Sequence, residues 1–104
     1  MLQMMRATIR KQRGAMRGLI TPRYKFARYF KPTEHNTPLS WESLVAANDI
    51  ELYDLQTDPR EIHNLAENPA HRDTVMRLNH QLNARISREI GIDDGRFLPI
   101  YMRA

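Results

Sequence analysis

The chain has 104 residues, 41% of them apolar and 27% charged, and contains no cysteine. That size suits one small domain, and the missing thiols exclude disulfides, Cys-ligated metal sites and a cysteine nucleophile. The formal net charge of +4 hides an asymmetry: residues 1–31 hold nine basic side chains and no acidic one, whereas residues 32–104 hold seven basic and twelve acidic, a net of −5.

A basic arm on an acidic body points towards nucleic acid, anionic lipid or an acidic protein surface. No apolar run approaches the roughly 20 residues that cross a bilayer. The opening "MLQMMRATIRKQRG" lacks the apolar core of a secretory signal, so the default compartment is the cytoplasm. An Arg-rich, acid-free start also suits an organelle-targeting arm, but hydroxyl residues are scarce there, which argues against it.

Residues 1–15 read as a basic N-terminal arm, irregular or helical, because Met5, Ile9 and Met16 are loosely spaced and Gly14 interrupts. Residues 16–104 read as one subdomain. Within "MRGLITPRYKFARYF", a strand is predicted over about 19–30, with Gly18 and Thr21-Pro22 as turn punctuation. Tyr24, Phe26, Arg28 and Phe30 share one face; Lys25, Ala27 and Tyr29 share the other. The Pro- and hydroxyl-rich stretch 31–49 reads as a loop in which Ser40 caps a short turn.

A second strand is predicted over about 50–55, antiparallel to the first, with Ile50 and Leu52 on one face and Tyr53 and Leu55 on the other. Asp58-Pro59 ends it, since proline cannot donate to a ladder, and Asp58 can accept N–H groups from the turn it opens. "REIHNL" then reads as a helical turn with Ile62 and Leu65 pointing inward. Asn68 and Pro69 are a favoured N-cap and first helical residue. The helix over about 69–90 carries an apolar stripe of Val75, Leu78, Leu82, Ile86 and Ile90. Gly91 is its expected stop, and 22 residues give a length of roughly 33 Å. Asp93-Asp94-Gly95 reads as a tight turn, and Phe97, Leu98, Ile100 and Tyr101 as a last strand or extended tail. The fold class is therefore α+β: a small antiparallel sheet packed against one long C-terminal amphipathic helix.

This order of elements, with these residues, resembles the C-terminal subdomain of the sulfatases, the arylsulfatase-type enzymes of the alkaline-phosphatase-like superfamily. "MRGLITPRYKFARYF" is similar to the family strand that ends in an Arg-Tyr-Lys-type run. "ELYDLQTDPREIHNLAENP" is similar to its Glu-Leu-Tyr-Asp-Leu…Asp-Pro-x-Glu-x-x-Asn-Leu signature. The matching positions are Glu51, Leu52, Tyr53, Asp54, Leu55, Asp58, Pro59, Glu61, Asn64 and Leu65, and the likeness covers roughly residues 16–91. It implies a subdomain docked against a large α/β catalytic domain that hydrolyses sulfate esters with a bound divalent cation, usually calcium.

The catalytic parts of that family are missing from this sequence. The family nucleophile is a formylglycine made within a Cys/Ser-x-Pro/Ala-x-Arg motif, and none of Ser40, Ser43 and Ser87 fits it. No catalytic residue, metal ligand or cofactor is therefore assigned to the chain. Asp93 and Asp94 are two carboxylates at a turn, and a hard cation wants six or more converging oxygens. No two of His35, His63, His71 and His80 stand three or four apart as zinc pairs often do, so they read as solvated. Asp54, Asp58 and Glu61 read as structural carboxylates.

Lys25 and Arg28 are the candidates for a substrate rim; the competing reading is a solvated or salt-bridged strand face. The implied partner is a catalytic sulfatase domain, absent or on another chain. An exposed apolar patch and self-association are then expected, in a C-terminal fragment inactive alone. The alternative is a small basic module for nucleic acid or an acidic protein, although no helix-turn-helix, zinc-finger or RNA-binding signature supports it.

Overall fold

The computed structural model describes residues 14–31, 36–90 and 101–104. The basic segment 1–13, His35, the side chain of Ile90, Gly91, the predicted turn at Asp93-Asp94-Gly95, and Phe97, Leu98 and Ile100 lie outside the described residues.

Strands β1 (Ala15–Ile20), β2 (Tyr24–Phe30), β3 (Asp49–Asp54) and β4 (Tyr101–Arg103) form one sheet in the order β3-β2-β1-β4. β2 runs antiparallel to both β1 and β3, and β4 runs parallel to β1. Helix α1 (Trp41–Ala47) lies within the β2–β3 connection, and α2 (Arg72–Ile90) follows a 3-10 turn at Pro69–His71. The protein is α+β, a small sheet with one long helix against it.

Where a single strand over 19–30 is predicted, the chain makes two strands. The Thr21 N–H donates to the Tyr24 carbonyl at 2.8 Å. The Thr21 hydroxyl accepts from the N–H groups of Arg23 and Tyr24. Pro22, with no N–H to satisfy, sits at the tip. The hairpin register pairs Ile20 with Lys25 and Leu19 with Phe26.

α1 is fixed by a capping box: Ser40 Oγ accepts from the Ser43 N–H and Ser43 Oγ from the Ser40 N–H. The helix inserts Leu44 into the core. At the start of the 3-10 turn, the Asn68 side chain accepts from the Ala70 N–H, with Pro69 in the first position, as predicted for this cap.

Leu19, Phe26, Leu52 and Met102 present one sheet face to Val75, Leu78, Leu82 and Ile86 of α2, and all are buried. Full burial of a side chain of this size contributes about 1.5–3 kcal/mol. At β4, Gly18 is required: a Cβ there would overlap the Tyr101 ring and press on the Phe26 carbonyl. The bare Gly18 backbone lets the ring lie on β1, opposite its Cα partner.

Candidate functional site

The signature residues 51–65 form a connector that carries the chain off the sheet edge towards α2. β3 is an edge strand, so its outer backbone groups need partners. Asn64 supplies them with a side chain in place of a strand. Its Oδ1 accepts from the Leu52 N–H at 3.0 Å and its Nδ2 donates to the Ile50 carbonyl at 3.3 Å. The Leu65 N–H donates to the Leu52 carbonyl. Leu65 and Ala66 then join the core.

The bend itself is held by carboxylates. Asp54 accepts from Arg23 Nη2 at 3.0 Å and from the Gln56 N–H, and the Arg23 hydrogen bond holds its carboxyl below the usual carboxylate range. Asp58 accepts from the His63 and Ile62 N–H groups at 2.9 and 3.0 Å. Those two backbone bonds, His63 first, likewise lower its carboxyl.

The helical turn predicted over "REIHNL" does not form. Glu61 takes a left-handed φ of 57°, which reverses the chain, and Asp58 binds the next two N–H groups. Ile62, predicted to point inward, therefore turns outward and is 66% exposed. The Glu61 carboxylate closes on Lys25 Nζ at 3.0 and 3.2 Å.

Lys25 and Arg28 differ by three positions on a strand and so lie on opposite faces of the sheet; they do not form one rim. Lys25 is half-buried, paired with Glu61, and its ammonium lies 4.9 Å from the Tyr101 ring centroid. Burial, with Glu51 and Glu61 nearby, pushes the Tyr101 hydroxyl up to about 12. Beside it the Tyr29 hydroxyl donates to Glu51 at 3.0 Å.

Arg28 faces α2 and is fully buried, not solvated. Its Nη1 donates to Asn79 Oδ1 at 2.7 Å and its Nη2 to the Asn36 carbonyl at 3.3 Å. Asn79 and Asn83 both donate to the Pro38 carbonyl, at 2.8 and 2.9 Å. Asn48 bridges Asn36 Oδ1 and the Leu44 carbonyl. Arg17, the Cα partner of Arg28 across β1 and β2, is also buried.

This polar layer escaped the sequence reading. Its signal is that Asn79 and Asn83 fall at i+4 and i+8 from Val75, inside the stripe that Leu78, Leu82 and Ile86 make apolar. On β2, Arg28 interrupts a face otherwise made of Tyr24, Phe26 and Phe30.

The described carboxylates do not form a hard-cation site. Asp54, Asp58 and Glu61 are each turned onto a cation or backbone N–H groups of the fold, and among the described residues no group of three or more His, Cys, Asp or Glu converges. Asp93 and Asp94 lie outside the described residues. His63 and His80 are exposed and His71 is half-buried. Ser40 and Ser43 hydroxyls are bound to each other in the cap, 3.0 Å apart. A shallow recess of about 320 Å³ on the connector is lined by Asp58, Pro59, Ile62 and His63 among others. Among the described residues, no helix is long and apolar enough to cross a membrane. No protein-family model, curated protein or solved structure matches the chain.

Proposed function

We propose that this chain is a non-catalytic scaffold of the sulfatase type: a C-terminal subdomain that braces a separate catalytic domain for sulfate-ester hydrolysis. The observation that carries this reading is the use made of the signature residues. Asn64 closes the edge of β3, Asp58 and Asp54 hold the bend, Glu61 locks it to Lys25, and Leu52 and Leu65 seat it on the core. Every one of these is a structural task. In this reading the formylglycine and the calcium belong to the catalytic neighbour, and this chain positions no reacting group. Leu39, Val45 and Ile62 are large apolar side chains left exposed; where such side chains join into one patch, self-association follows when the neighbour is missing.

The nucleic-acid alternative loses much of the electrostatics it needs. Of the nine cations in residues 1–31, Arg17 and Arg28 are buried, and Arg23 and Lys25 are paired with Asp54 and Glu61.

Two measurements test the scaffold reading. The purified chain, given an aryl sulfate and calcium, should turn over no faster than buffer; calcium-dependent turnover would place chemistry in this chain and overturn the proposal. The DNA directly upstream of the Met1 codon should encode, in frame, a Cys/Ser-x-Pro/Ala-x-Arg motif, even one cut off by a stop codon. A neighbourhood without that motif, and no second chain that carries it, removes the sulfatase parentage.

A further inference from the structure

We draw no further inference here: the strongest candidate, the groove of about 230 Å³ between α1 and the start of β3, lined by Trp41, Val45, Asn48, Asp49, Ile50 and Glu67, is an apolar recess with an acidic rim, and nothing in the structure shows what covers it.

Discussion

The Asp58 turn of the connector and the polar layer beneath α2 both rest on hydrogen-bonding side chains, but they bridge very different stretches of chain. Asp58 reaches N–H groups four and five residues ahead. Arg28 reaches Asn79 across 51 residues, and Asn79 and Asn83 reach Pro38 across 41 and 45. Bonds of the first kind form with the segment itself and shape a loop. Bonds of the second kind exist only when sheet, loop and helix have docked together. A guanidinium in that interface costs several kcal/mol to desolvate unless its partners are in place. The layer therefore disfavours any docking of α2 that moves Asn79 away from Arg28, whereas the apolar stripe alone tolerates small slips.

The largest effect should come from breaking the remote layer. Arg28→Ala removes the guanidinium from Asn79 Oδ1 and opens a cavity under the helix, at an expected cost of about 3 kcal/mol in urea unfolding. Asn79→Ala should cost less. The double variant should fall short of the sum of the singles by about 1 kcal/mol or more, because the residues touch. Arg28→Met with Asn79→Leu, which replaces both partners with apolar groups, should recover much of the loss. Strict additivity in the double variant would show that the two side chains do not act together.

The next effect tests the connector where Asn64 serves β3 from 12 and 14 residues away. Asn64→Ala leaves the Leu52 N–H and the Ile50 carbonyl without their side-chain partners. A loss of about 2 kcal/mol is expected, together with faster hydrogen exchange at the Leu52 amide. Unchanged protection of that amide would mean that the Leu65 contact alone seals the edge.

These two regions also separate what was legible in the sequence from what was not. The Asn68-Pro69 cap, the Val75–Leu78–Leu82–Ile86 stripe and the Asp58 turn rest on neighbours a few residues apart, so the sequence displays them directly. The split of the first strand was half visible: Thr21-Pro22 marks a turn, but closure depends on the Thr21 hydroxyl standing in for a backbone acceptor. The outward turn of Ile62 follows from the positive φ at Glu61, which a residue other than glycine does not advertise. The Arg28–Asn79 contact was not legible. Two polar residues interrupt two apolar faces, but only the docked register shows that one interruption meets the other. The parallel pairing of β4 with β1 is likewise a long-range choice.

Acid should separate the regions further. Asp58 and Asp54 have folded-state carboxyls below their ordinary values, through N–H groups and Arg23 respectively. The unfolded chain takes up these protons first as pH falls, so the stability they contribute is present above about pH 4 and is lost as pH drops through the folded values. The Arg28–Asn79 contact carries no such proton. Asp58→Asn should therefore flatten the acid slope of unfolding free energy, while Asn79→Ala should shift the whole profile without changing that slope. Equal slopes for the wild type and Asp58→Asn would remove Asp58 from the acid response.

The smallest effect concerns the most local feature, the left-handed backbone at Glu61. An L-residue in that region carries a strain of roughly 1–2 kcal/mol that glycine avoids. The opposing gain is the ion pair with Lys25, whose two side chains are 24% and 34% exposed; pairs this accessible to water contribute at most about 1 kcal/mol. Glu61→Gly trades one for the other and should leave stability within about 0.5 kcal/mol of the wild type. Glu61→Ala loses the pair and keeps the strain, so it should be less stable than Glu61→Gly by about 1 kcal/mol. If the alanine and glycine variants unfold at the same urea concentration, the reversal at residue 61 costs nothing. The outward path of Ile62 would then be set by Asp58 binding the Ile62 and His63 N–H groups, and the backbone at 61 would merely follow.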